Sequence, residues 1–170
     1  MSAEQVVQAY FTGEKAEAFW ILLAGVTALA GAVALWFWAR EPFARGLACA
    51  LVVIAALGIG VGGTVFSRSD AQARQLVRVH EADAGRFAAE EGPRIAQVVR
   101  SFAWYRYGYL AATLLALGLA FGSGRPLHQG LAVGLLLLAA LGFTIDFYAE
   151  RRAVEYQQAL SSHGWLTSGR

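Results

Sequence analysis

Residues 43–66 read FARGLACALVVIAALGIGVGGTVF. From Gly46 onward this stretch contains no charged side chain. Its length is close to the roughly 20 residues that a helix rising about 1.5 Å per residue needs to cross a hydrocarbon layer about 30 Å thick. The apolar run is continuous, whereas a barrel strand would alternate between apolar and polar residues. A helix also satisfies its backbone amides within one segment, so the stretch predicts a transmembrane helix.

Three further stretches have the same character, at 18–39, 105–122 and 127–148. In chain order the four stretches are called span 1 (18–39), span 2 (43–66), span 3 (105–122) and span 4 (127–148). Of the 170 residues, 57% are hydrophobic, and the mean hydropathy is +0.47. Soluble domains are about 45–50% apolar. We therefore predict an all-α, polytopic membrane protein in which residues 1–170 form a single four-helix transmembrane domain.

The links between these spans predict how they pair. Residues 40–42 form a short polar turn, and residues 122–126 are rich in helix breakers. Both links favour tight antiparallel hairpins, one from spans 1 and 2 and the other from spans 3 and 4. Between the hairpins lies a polar segment, 67–100, whose composition favours a cytoplasmic helix.

Helix ends are predicted from capping residues and breakers. Ser69 and Gln72 have the spacing of a capping box, which predicts a helix start at Ser69. Gly92 and Pro93 are predicted to break that helix and to begin the next one near Pro93. The helix of span 4 is expected to continue past the membrane to about Ser161 and to end at Gly164.

The distribution of basic residues predicts the orientation. Four spans place both termini and the central segment on one side of the membrane, and 11 of the 14 Lys and Arg residues lie there, including Arg170. Arg40, Arg45 and Arg125 lie on the other side. Because cytoplasmic segments are enriched in Lys and Arg, both termini are predicted to be cytoplasmic. The first hairpin alone points the other way.

Small residues in two spans predict close helix contacts. Gly58 and Gly62 in span 2 and Gly130 and Gly134 in span 4 have GxxxG spacing, which lets helix backbones approach closely in lipid. The spacing is compatible with packing inside one bundle or with a self-association face. Cys49, the single cysteine, is predicted to be a small packing residue.

Two carboxylates near the end of span 4 are the candidate polar site. Asp146 and Glu150 are four residues apart, so they share one helix face. One interpretation is an interfacial ion-pair network with Arg100 and Arg106. The alternative is a metal or polar-ligand site that also uses His80 or Glu81.

Other functional classes receive no support from the sequence. No nucleophile, base and orienting residue form a recognisable set, and no cofactor motif is present, so no cofactor is predicted. A net charge of +2 gives no indication of a nucleic-acid partner. The central parts of the spans contain no ionisable residue, which argues against a proton-coupled transporter.

Three short motifs carry a resemblance to other proteins. Gly13-Glu14-Lys15 precedes span 1, Gly63-Thr64-Val65-Phe66-Ser67-Arg68 ends span 2, and Asp146-Phe147-Tyr148-Ala149-Glu150-Arg151 ends span 4. With the four-span layout, they resemble small, uncharacterised bacterial membrane proteins. The resemblance implies a location in the bacterial inner membrane and implies no activity.

Three functional hypotheses follow. The leading one is a non-enzymatic membrane protein that acts through self-association or as a subunit of a larger membrane complex. The alternative is a homo-oligomeric channel or small-solute pore. The third is a membrane enzyme or metal-binding protein that uses the carboxylates at the cytoplasmic boundary.

Overall fold

The computed structural model describes residues 2–166 and contains four long helices. They are α1 (Ala3–Ala34), which continues into a π-helical turn (Leu35–Ala39), α2 (Pro42–Ala82), α3 (Ala84–Gly122) and α4 (Pro126–Ser162). The predicted all-helical class is confirmed. The helix of span 1 begins at Ala3, well before the apolar stretch that starts at residue 18.

Local chemistry sets the helix ends. The Ser2 hydroxyl accepts a hydrogen bond from the Gln5 amide, and the Gln5 side chain accepts one from the Ser2 amide, which completes a capping box. Arg40 has a left-handed backbone with φ of 45°, which turns the chain between α1 and α2. Gly164, with φ of 72°, follows the end of α4.

Two helix-end predictions are wrong. Ser69 lies in the middle of α2, fully buried, and its hydroxyl donates to the Val65 carbonyl instead of capping a helix. The chain breaks at Asp83, whose carboxylate accepts from the Arg86 amide as the N-cap of α3. Pro93 lies inside α3. A nearby capping carboxylate at Asp83 thus sets the start of the helix in place of the Gly92–Pro93 pair.

Three helices within residues 2–166 are long and apolar enough to cross a membrane. They are α1 with its π-helical turn, α2 and α4, with 37, 41 and 37 residues. At a rise of about 1.5 Å per residue, even 37 residues extend about 55 Å, well beyond a layer about 30 Å thick. In α3, Arg106 and three tyrosines occupy the start of the predicted span, so its apolar run begins only at Leu110.

Glycines allow close helix contacts in the half of the bundle that contains the apolar spans, which we call the apolar half. A Cβ on Gly58 would lie 2.8 Å from Gly25 Cα, and a Cβ on Gly62 would lie 2.7 Å from the Leu22 amide nitrogen, so α1 and α2 pack backbone to backbone. In the same way, Gly130 packs on Phe43 and Gly134 on Ala50, which joins α4 to α2. The two hairpins therefore meet along α2 and α4.

The ends of the helices beyond the apolar half form a second core, which we call the cap. Its buried side chains come from all four helices: Val6, Val7, Tyr10, Phe11, Ala73, Phe87, Ile95, Phe102, Ala153, Tyr156 and Leu160. The rings of Tyr10 and Tyr156 stack with centroids 4.3 Å apart. Burial raises the pKa of the Tyr156 phenol above its ordinary value, and the charge of Glu91 adds to that shift.

Candidate functional site

Charged side chains converge where the cap meets the apolar half, and we call this group the boundary cluster. Arg106 on α3 donates to Glu150 on α4, with Nη1 2.7 Å from Oε2. This contact links the two helices as the sequence suggested. Arg100 is exposed and forms no salt bridge with residues 2–166. One of the two arginines considered for the network is therefore outside it.

A second ion pair in the boundary cluster joins the ends of the chain. Arg152 on α4 donates to Glu17 on α1, and both side chains are largely buried. Gly13 allows this approach, because a Cβ there would lie 2.9 Å from Arg152 Cδ. Sequence reasoning missed the pair because it left residues before 18 without an assigned helix. The apolar positions Val6, Val7, Tyr10 and Phe11 were the signal for one.

Asp146 has a different partner from the other carboxylates of the boundary cluster. Its Oδ2 accepts the Tyr109 hydroxyl at 2.7 Å. Gly142 lets the Tyr109 ring lie directly across α4, with the Tyr109 hydroxyl 3.0 Å from where a Cβ would be. Arg106 and Arg152 pair with other carboxylates, and Asp146 forms no salt bridge within the described chain. The described partner of Asp146 is thus a phenol, and no described cation pairs with its carboxyl group.

The residues considered for a metal site are not brought together. His80 packs edge-on against Phe87, with ring centroids 5.0 Å apart, and against Trp165 in the cap. Glu81 is exposed near the end of α2. Over residues 2–166, no group of three or more His, Cys, Asp or Glu side chains is arranged to hold a metal ion.

An apolar groove runs from the boundary cluster into the apolar half. Its volume is about 390 Å³, and it lies between the two hairpins. All four helices line it, with Ile21, Ala24, Gly25, Ile54, Leu57, Gly58, Val61, Tyr105, Tyr109, Leu138, Leu141, Gly142, Ile145 and Asp146. Asp146 is the only ionisable carboxylate in that lining.

The side of α2 that faces away from the bundle carries a second row of residues, all small except Val53. We call it the outer face of α2; it consists of Cys49, Val53, Ala56, Gly60, Gly63 and Ser67. Nothing lies within 4 Å of where a Cβ on Gly60 or Gly63 would be. Cys49 is exposed, so it does not serve the packing role within the chain that the sequence predicted.

Comparisons with known proteins give no relative. No protein-family model, curated protein or solved structure matches the chain. What the protein does is therefore inferred from its own residues.

Proposed function

We propose that the protein is a four-span membrane protein that acts by associating with a second copy of itself through the outer face of α2. The observation that carries the proposal is the open space beside Gly60 and Gly63, two glycines that no contact within the chain requires.

The cap supports the fourth span. The cap packs residues of α2 and α4 near their C-terminal ends into one core, so these two ends lie on the same side of the membrane. If α4 crosses, its start at Pro126 lies on the opposite side. The chain must then return across the membrane between Ala82 and Pro126, and α3 is the segment available for that crossing.

The orientation follows from the same arrangement. Val6 and Val7 place the start of α1 in the cap, with the ends of α2 and α4. Of the 14 basic residues in the sequence, ten of those within residues 2–166 are on the cap side. The positive-inside rule therefore favours a cytoplasmic cap. The resemblance to small bacterial proteins favours the bacterial inner membrane.

The spacing along the outer face of α2 favours a helix partner. Its positions alternate between steps of four and three residues, as in the seam of a left-handed helix pair. In a helix interior, glycine is less favourable than alanine by about 1 kcal/mol. Gly58 and Gly62 have a packing role on α1, whereas Gly60 and Gly63 do not. Close approach of a second helix would give the outer pair such a role.

A second copy is the simplest partner, and Cys49 makes it testable. The Cα atoms of a disulfide usually lie about 4.4–6.8 Å apart. A parallel pair of α2 helices related by a two-fold axis along the outer face brings Cys49 near Cys49 of the second copy. Oxidation of native membranes with copper phenanthroline should therefore give a disulfide-linked dimer on a non-reducing gel.

Matched variants sharpen this test. Replacing both Gly60 and Gly63 with leucine should lower the dimerisation constant by about tenfold or more, because the added side chains would hold the two helices apart; a tenfold fall corresponds to a loss of about 1.4 kcal/mol. Gly118→Leu is the control, because Gly118 also has open space around it but lies on α3. Dimer yield independent of the two glycines, or a lone monomer in nanodiscs by native mass spectrometry, would refute the proposal.

A further inference from the structure

The groove between the hairpins combines an apolar wall with one carboxyl group, that of Asp146, which pairs with no described cation. Along α4 its lining runs from Asp146 to Leu138, about 12 Å at a rise of about 1.5 Å per residue. Leu57 and Val61 are 50% and 52% exposed in the bundle, so the groove opens sideways toward hydrocarbon. A molecule dissolved in the bilayer can reach it without passing through the cap.

Asp146 is the feature that selects the ligand's charge. Neighbouring arginines are already engaged, Arg106 by Glu150 and Arg152 by Glu17. The Tyr109 hydroxyl occupies Oδ2, and no described residue donates to Oδ1. An ionised carboxylate beside apolar side chains raises the free energy of the protein unless a positive charge lies next to it. A bound cation would supply that charge.

Aromatic rings reinforce the preference for a cation. Tyr105 and Tyr109 both line the groove at the Asp146 end. The faces of such rings attract a cation within about 6 Å of their centroids, by about 0.5–2 kcal/mol. Two tyrosines and a carboxylate at one end of an apolar groove favour an organic cation with an apolar body over a hydrated metal ion.

We propose that this groove binds a lipophilic organic cation. The charged centre lies against Asp146 and the two tyrosine rings, and the apolar body lies along Ile54, Leu138 and Leu141. The site is on the opposite side of α2 from the outer face, so it does not depend on self-association.

Binding of radiolabelled tetraphenylphosphonium to the full chain in phosphatidylcholine nanodiscs tests this proposal, with empty nanodiscs subtracted. We expect saturable binding at one site per chain. Tetraphenylborate, which has nearly the same shape and the opposite charge, should not compete. Asp146→Asn should weaken binding by about tenfold or more, in the range expected when one partner of a partly buried charge pair is removed.

Two further variants test the position of the site, one outside the groove and one inside it. Glu155→Gln is also on α4, where Glu155 pairs with the exposed Arg151 and lies outside the groove lining, and this variant should bind as the wild type does. Val61→Trp places a larger side chain in the groove from α2, leaves Asp146 in place and should also abolish binding, which tests the site even if Asp146→Asn fails to fold. No saturable binding by the wild type would overturn the proposal. Equal binding by wild type and Asp146→Asn, or competition by the borate, would also overturn it.

Discussion

Glu91 and Arg94 show how a charge is accommodated inside the cap. The Glu91 side chain is fully buried, and Arg94 holds it in a two-pronged contact, with Nε and Nη2 each 2.6 Å from a carboxylate oxygen. The Arg94 guanidinium also lies over the Phe11 ring, 5.7 Å from its centroid. The pair therefore ties the start of α1 to α3. The carboxylate of this pair is fully buried, whereas the guanidinium is 34% exposed, so removal of Arg94 would leave a buried charge without a partner.

Glu91→Ala is expected to lower the free energy of unfolding by about 2 kcal/mol, since it removes two hydrogen bonds between charged groups inside the cap. The matched control is Glu90→Ala. Glu90 pairs with Arg86 on the exposed side of the same helix, where such pairs contribute about 0–1 kcal/mol. Thermal unfolding in detergent, followed by circular dichroism, measures both. Equal losses in the two variants would contradict the role given to Glu91.

On the scale of elements, α2 is the helix around which the bundle is organised. Its inner glycines allow backbone contact with α1 and α4, whereas Gly60 and Gly63 on the outer face touch nothing within the chain. Two glycines of the same helix, Gly60 and Gly62, should therefore respond in opposite ways to the same substitution.

Gly62→Ala is expected to destabilise the fold by about 1–3 kcal/mol, the usual cost of overpacking. The added methyl would lie 2.7 Å from the Leu22 amide nitrogen, and backbone atoms of α1 cannot turn aside as a flexible side chain can. Gly60→Ala should leave stability unchanged or raise it, because alanine is the better helix former. Thermal unfolding of the two proteins as monomers in detergent compares them. A stable Gly62→Ala protein would show that the α1–α2 contact is looser than described.

Element prediction succeeded where a long, continuous apolar run decides and failed where the end of a helix depends on a single capping residue or breaker. The apolar runs predicted helices in the right places, and the absence of a breaker after Asp146 correctly predicted that α4 runs on to Ser162. Ser69 misled because serine followed by glutamine three residues later can also occur inside a helix, whereas Pro93 lies inside α3 against the usual preference of proline for helix starts. A serine in a helix can donate back to a carbonyl four residues earlier, as Ser69 does.

The candidate site was predictable only in part, because the sequence indicates which residues share a helix face but not which helices meet. Spacing on one helix placed Asp146 and Glu150 on a common face, and Arg106 was within the range of partners considered. No sequence pattern indicates that Tyr109 crosses α4 over Gly142, or that Arg152 reaches Glu17 on a helix 135 residues away along the chain. Those contacts depend on how the hairpins dock.

On the scale of the whole molecule, the two halves of the bundle have different surfaces, one polar and one apolar. In the cap, aliphatic and aromatic side chains from all four helices form a buried core, and charged side chains such as Arg86 and Glu90 lie exposed around it. In the other half, small residues pack inside and large apolar residues point outward, among them Leu110, Leu114 and Phe121 on α3, which are 56%, 62% and 87% exposed. That outward surface is suited to hydrocarbon, and its presence on α3 supports a fourth crossing.

Cysteine accessibility tests the four-span arrangement most directly. In a Cys49→Ser background, single cysteines at positions 41, 75, 124 and 163 are exposed to a membrane-impermeant maleimide in intact spheroplasts and then after permeabilisation. We predict that positions 41 and 124 react in intact cells, whereas positions 75 and 163 react only after permeabilisation. If position 124 were protected together with position 75, α3 would not cross the membrane, and the four-span account would be contradicted.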